Sequence, residues 1–218
     1  MTQQGWDRLA AGTGIVFVVL SVVAAIIAQP TGGQDAAEYF VERRSQVLVS
    51  SYLFGLAVVF FVWFLGSLRS QLRQAEGTTG RLSAVAFAGG ILTASILFFQ
   101  GTINIALAGG VAERVDPDIT RALYQVSLRA ADLVPFWVAV LTGASAVVML
   151  RTGMVPAWLG WFGGLVAVAS LVVPVAIFVE GGPFASGGIY GFLVLGGFLL
   201  WTLLTSIVLV QRLGPTAA

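Results

Sequence analysis

Six long apolar runs fill the chain, at residues 9–28, 47–68, 82–107, 133–150, 155–179 and 189–210, and none carries Asp, Glu or Arg in its interior. A helix rises about 1.5 Å per residue, so about 20 apolar residues cross a hydrocarbon layer about 30 Å thick. Each run is close to that length or longer. The pattern predicts an all-α polytopic membrane protein, with residues 1–218 forming a single integral membrane domain built as a bundle of six transmembrane helices.

Two of the connections carry a pattern of their own. Over residues 35–48, Asp35, Glu38, Glu42 and Gln46 recur at spacings of three and four, with Ala36, Ala37, Phe40, Val41, Val47 and Leu48 opposite. That is the periodicity of an amphipathic helix lying at an interface. The other connection opens at Asp116-Pro117, an N-cap followed by a first-turn proline. There Asp118, Arg121, Gln125, Arg129 and Asp132 line one face and Ile119, Ala122, Leu123, Val126 and Ala130 another. Two short amphipathic helices are therefore expected on the outer side of the bundle. One stripe is acidic and the other has a basic centre. Either Asp35, Glu38 and Glu42 pair with Arg121 and its neighbours across the outer mouth, or the two faces meet water separately.

Composition narrows the chemistry. At 58% hydrophobic and 10% charged, the chain is too apolar for a soluble domain of its length. No basic patch with interleaved aromatics points to nucleic acid. There is no Cys, no His and no Lys. Disulfide exchange, Cys- or His-ligated metal, imidazole-bound haem, a Ser–His dyad and a lysine Schiff base are thereby excluded. No cofactor and no metal site is expected. Carboxylates, Tyr, Ser, Thr and Arg are what remains for any catalysis, and no catalytic set stands out among them.

Orientation follows from the arginines. With the N-terminus inside, the inner segments hold Arg8, Arg69, Arg73, Arg81, Arg151 and Arg212, close to helix ends in short loops. The outer ones hold Arg43, Arg44, Arg114, Arg121 and Arg129, interspersed with seven acidic residues. The positive-inside rule weighs the short loops, so both termini are expected in the cytoplasm. The first run is long for a signal core and lacks a small-x-small cleavage site, so it is expected to stay as an anchor. Arginine without lysine, with an Ala, Val and Gly bias, suggests a high-GC bacterial genome and hence a bacterial plasma membrane.

Within the runs, Gln100 and Asn104 are the strongly polar pair. Spaced by four, they share a helix face in the outer half of the third run. Buried amides often bridge helices at about 0.6–2 kcal/mol. The other reading is a small polar pocket opening outward, with Ser50, Ser51, Tyr52, Arg129, Asp132 and Glu180 at similar or shallower depth. Thr202, Thr205 and Ser206 of the last run can satisfy their hydroxyls on their own helix. No ionisable residue falls at mid-membrane depth, which counts against proton- or sodium-coupled transport.

The stretch Met154-Val155-Pro156-Ala157-Trp158-Leu159-Gly160-Trp161-Phe162-Gly163-Gly164 resembles the Pro-x-Trp-Leu-Gly-Trp entry to a late helix in the bacterial six-pass membrane family known as domain of unknown function 4386. The segment Phe64-Leu65-Gly66-Ser67-Leu68-Arg69 and the six-run layout are similar to that family too. The resemblance implies a six-helix integral membrane fold and carries no assigned activity.

The expected partner is the lipid bilayer, and the expected role is non-enzymatic. It is that of an accessory or binding protein whose outward-facing polar pocket holds a lipid, another small molecule or a segment of a partner membrane protein. The alternative is a small transporter or exporter of a neutral or lipophilic solute. A third reading is a carboxylate-based, lipid-active enzyme. A continuous polar path through the inner half marks the transporter. Two carboxylates within about 5–10 Å beside a lipid-sized cleft mark the enzyme. A closed inner half beneath an outer pocket marks the binding protein.

Overall fold

A computed structural model describes residues 3–28, 35–77, 79–179 and 181–212, with side chains from Leu9 onward. Seven α-helices follow in chain order: α1 (Gln3–Ile27), α2 (Ala36–Glu42), α3 (Arg44–Glu76), α4 (Arg81–Ala106), α5 (Pro117–Thr152), α6 (Ala157–Val172) and α7 (Ile189–Arg212). The described residues include no strand. A π-helical turn, Leu107–Val111, extends α4, and a 3-10 segment, Val173–Phe178, opens at Pro174 and extends α6. All but α2 are long and apolar enough to cross a membrane. The chain is a multi-pass membrane protein.

Each expected amphipathic segment forms helix, but they end differently. The first is α2, which stops at Arg43 before α3 begins at the next residue. The second is the opening of α5. Asp116 caps it by accepting the Asp118 N–H at 2.8 Å, and Pro117 occupies the first turn. It then runs unbroken into the membrane span, because no helix breaker intervenes before Pro135, which α5 absorbs.

The six spans form a ring in which each packs on its neighbour in sequence and α7 returns to α1. One end of the bundle carries the start of α1 and the end of α7, and we refer to it as the terminal end. The other, covered by α2, is the capped end. The main core fills the terminal half. Phe17, Phe61 and Phe198 meet there, with ring centroids 4.6 Å (Phe17–Phe61), 6.0 Å (Phe61–Phe198) and 6.4 Å (Phe17–Phe198) apart. Such pairs contribute about 0.5–1.5 kcal/mol each beyond area burial. A second, smaller core of Tyr39, Phe40, Val47, Leu107, Ala108 and Ala112 lies beneath the cap. Trp63, Phe98, Leu165, Val168 and Phe178 point outward and are exposed, as an apolar surroundings requires.

Ring closure depends on a close approach of α1 to α7. The Ser206 hydroxyl donates to the Ala11 carbonyl. A Cβ on Gly14 would lie 2.7 Å from the Phe64 ring and 3.0 Å from Ser206 Cβ. Ser206 thus bonds across helices rather than to its own, whereas Thr202 does bond its own helix, at Phe198, 2.9 Å. On the other side of α7, the Trp201 indole lies against Gly163, whose added Cβ would sit 2.7 Å from Nε1. The Pro156–Trp161 motif makes sense in this light. Pro156 precedes the first residue of α6, Trp158 and Trp161 face outward, and Leu159 and Gly160 face the core. In the short connection between α3 and α4, Glu76 accepts the backbone N–H groups of Leu82 at 2.9 Å and Ser83 at 3.0 Å. It satisfies donors that the start of a helix otherwise leaves open.

Replacing Gly14 with Ala is expected to cost about 1–3 kcal/mol through overpacking. The equivalent change at Gly55, which has no heavy atom within 4 Å of its added Cβ, should be neutral or stabilising. Unfolding midpoints of the two variants in detergent compare these directly, and equal shifts would remove the close-approach argument.

Candidate functional site

Above the Phe17–Phe198 floor the helices diverge and enclose a cavity of about 610 Å³. Its lining follows helical spacing. Phe17, Ser21 and Ala24 come from α1, and Thr93, Leu97, Gln100 and Asn104 from α4. From α5 come Leu128, Asp132, Pro135 and Val138. Ser50, Ser51 and Phe54 of α3, Ser170 of α6, and Tyr190, Val194 and Phe198 of α7 complete the wall. Residues 184–188, between the last two spans, cover part of the rim.

Polar groups are few and concentrated toward the capped end. Asp132 is buried, although it lies on a helix that spans the membrane. One of its carboxylate oxygens accepts the Ser186 hydroxyl at 2.9 Å, and the other faces the Arg129 guanidinium at 3.2 Å. Among the described lining residues it is the one carboxylate. Asn104 accepts the Ser127 hydroxyl through its Oδ1 at 3.5 Å, a long contact between α4 and α5. Gln100 takes no hydrogen-bond partner among the described residues and borders the cavity. Both readings of the amide pair therefore have a footing. Asn104 bridges weakly while lining the cavity, and Gln100 lines it without bridging.

Two residues expected in the pocket do not line it. Tyr52 is 68% exposed, because Ser51 and Phe54 share the inward face of α3 and Tyr52 lies about 100° around from Ser51. Arg129 is displaced by the same step from Leu128 on α5. Its exposed side chain reaches Asp132 from outside the wall. Glu180 lies outside the described residues.

Sequence reading passed over Ser21, Thr93, Ser170 and Ser186. Thr93 donates to Gly89 at 2.9 Å, as a helical threonine commonly does. Ser21 and Ser170 are buried, border the cavity and have no partner among the described residues. A smaller cavity of about 120 Å³ lies beneath α2 and shares Ser50, Ser51 and Asn104 with the larger one. Its wall includes Tyr39, whose hydroxyl donates to Ala28 at 2.9 Å and whose burial raises its phenol above the ordinary value.

Ion pairs tie down the capped end. Arg121 grips Asp35 bidentately at 2.8 Å and 2.9 Å, joining α5 to the start of α2, and also holds Asp118 on its own helix. Arg44 meets Glu113 at 3.2 Å, joining α3 to the segment that follows α4. The two charged stripes thus meet through Asp35 and Arg121. Glu38 and Glu42 occupy exposed positions on α2, and Arg129 turns to Asp132. Among the described residues no cluster of three or more acidic side chains is arranged to hold a metal ion.

Searches against protein-family models, curated proteins and solved structures find no match for the chain.

The Asp35–Arg121 pair carries a pH signature. The Arg121 guanidinium holds the Asp35 carboxyl below its usual value of 3.8, through direct hydrogen bonding. A depressed folded-state value means the contribution is complete above that usual value and is lost as pH falls through the depressed one. Asp35→Asn should therefore flatten the acid limb of the stability profile and leave its shape near neutrality unchanged. Unfolding curves taken from neutral pH to below 3.8 provide the measurement, and an unaltered acid limb in the variant would disprove the coupling. For the amides, Asn104→Leu should change stability by about 0.6 kcal/mol, the average for such contacts in membranes. Gln100→Leu should cause no loss. A large loss at Gln100 in the same unfolding assay would assign it a structural bond.

Proposed function

We propose that the chain is a non-enzymatic binding or accessory protein of the bacterial plasma membrane, whose cavity holds a small lipophilic molecule. The observation that carries this reading is the asymmetry of the bundle. The terminal half is packed shut by Phe17, Phe61, Phe64, Phe198 and Trp201, and the capped half contains the cavity. A closed half supports holding over passage, so it weighs against the transporter. Among the described lining residues Asp132 is the single carboxylate, and none of them offers it a partner for two-carboxylate chemistry, which weighs against the enzyme. The volume lies within the roughly 300–1,000 Å³ typical of small-molecule sites, and the lining is mostly apolar with a few converging polar groups.

Orientation belongs to the same proposal. Arg69, Arg73, Arg81, Arg151 and Arg212 all sit at the terminal end, the first four near short connections and Arg212 at the end of α7. By the positive-inside rule that end faces the cytoplasm and the cavity lies in the outer half. The likeness of residues 154–164 to domain of unknown function 4386 suggests kinship with that family and adds no activity.

Because the chain lacks cysteine, introduced thiols report without background. Ser45→Cys, near the cap, is expected to react with an impermeant reagent in intact cells, and Gln74→Cys, near the terminal end, to stay shielded. The reverse labelling overturns the orientation. For the binding role, native mass spectrometry of the purified protein should detect a retained small lipophilic species. Leu97→Trp, which projects a larger ring into the cavity, should abolish that retention while the protein stays folded. A clean apo mass for the wild type in mild detergent would count against a resident ligand.

A further inference from the structure

The cavity does not open only toward the cap. Val22, Ala25 and Ile26 of α1 border it on one side, Phe192 and Leu195 of α7 border it on another, and all five are exposed. These residues lie within the membrane spans Leu9–Ile27 and Ile189–Arg212. The close contacts between α1 and α7 (Ala11 to Ser206, Gly14 to Ser206, Phe17 to Phe198) lie toward the terminal end. Beyond Phe17 the described residues by which both helices border the cavity and face outward are apolar. An opening edged by apolar side chains at that depth faces hydrocarbon rather than water.

Inside, the hydrogen-bonding capacity left over is neutral. The Asp132 charge is already met by Arg129 at 3.2 Å and by the Ser186 hydroxyl at 2.9 Å. What remains includes the Gln100 amide, the Asn104 amide N–H groups, the Ser51 hydroxyl and two buried hydroxyls, Ser21 and Ser170, that lack partners among the described residues. A buried polar group without a partner costs about 1–3 kcal/mol, so an occupant that satisfies these groups gains by doing so. These groups lie on α1, α3, α4 and α6, around one space. Below them the wall is apolar, with Phe17, Val138 and Phe198.

We infer that the cavity takes a neutral, single-chain amphiphile from the bilayer through the gap between α1 and α7. Its hydroxyl or amide head is held by Gln100, Ser21 and Ser170, and its tail lies along the apolar wall. This rests on the binding role proposed above. A headgroup with a net negative charge is disfavoured, because it would enter a dry site beside Asp132. A permanent cation gains little, because that carboxylate already has Arg129. A two-tailed lipid exceeds the volume.

The test uses the full chain in nanodiscs of neutral phospholipid and three probes with the same tail: hexadecanol, hexadecyl sulfate and hexadecyltrimethylammonium. Each competes with a tritiated long-chain alcohol carrying a diazirine, and the crosslinked peptides are mapped. Hexadecanol is expected to displace the photoprobe about tenfold better than either charged probe, a difference of about 1.4 kcal/mol. Crosslinks should fall on α1, α4 and α7. Gln100→Leu should weaken the alcohol while leaving a headgroup-free alkane unaffected. Ala25→Trp, at the mouth, should slow crosslinking without changing its final extent. Equal displacement by all three probes, or preference for a charged one, overturns the headgroup inference but leaves the cavity a binding site. Absence of saturable crosslinking by the diazirine alcohol overturns the inference and the binding role together. Unaltered kinetics in Ala25→Trp overturns the lateral route.

Discussion

Gly14 sets how near α1 can come to α7, and the geometry of the rest of the bundle follows from that distance. Between helices in lipid there is little hydrophobic gain from contact, because the surrounding tails are as apolar as the side chains. Association relies instead on close packing and on hydrogen bonds across the interface. At Gly14 both occur together, since the missing Cβ admits the Phe64 ring and Ser206, and the Ser206 hydroxyl reaches the Ala11 carbonyl. Farther along, both helices turn their inner faces to a cavity instead. A ring joined tightly at one end and opened at the other has a floor and a mouth. Gly163 against Trp201 does the same for α6 and α7, on the terminal side of Ser170.

The polar groups sort themselves by the same logic. Hydroxyls in the packed half are mostly absorbed by backbone carbonyls, as with Thr142 on Val138 and Thr202 on Phe198. Ser145 and Thr205 of the packed half also lack a partner among the described residues, as do Ser21 and Ser170, which in addition border the cavity. Asp132 is the costliest of these groups, being a buried acid, and it is compensated from two directions. Ser186 comes from the connection between α6 and α7, so the bond ties that otherwise Gly-rich segment to the rim.

How much of this was legible in the sequence differs by level. The spans were legible, because an apolar run of membrane length has few alternatives. So was the depth of Gln100, Asn104 and Asp132, which follows from counting along a helix. The azimuth was not. A run that is apolar all round has no preferred face, so nothing distinguished Ser51, which lines the cavity, from Tyr52, which does not. Ser21 and Ser170 were invisible for another reason. A serine in an apolar helix ordinarily bonds its own backbone, and only the packing shows that these two are left open. Glu76 was legible as a charge but not as a cap, since that role needs the connection between α3 and α4 to fold back. Continuity of α5 through the interface was missed because the change from amphipathic to apolar pattern at Leu133 resembles an element boundary. A helix can change its surroundings without ending.

The arrangement of charge also bears on the proposal that the cavity holds its occupant rather than moving it. Alternating access requires two arrangements of comparable stability. Here the floor is a stack of large aromatic rings from three helices, Phe17 of α1, Phe61 and Phe64 of α3 and Phe198 of α7, with Trp201 of α7 beside it. Opening it would break several ring contacts and the Ser206–Ala11 bond at once, with no charge in the terminal half of the lining to stabilise the opened form. The cap, by contrast, is held by exposed ion pairs, Arg121 to Asp35 and Arg44 to Glu113, which water and salt weaken readily. Motion is therefore cheaper at the cap and around the α1–α7 gap than at the floor. On the binding role proposed above, an occupant would enter and leave by the same side.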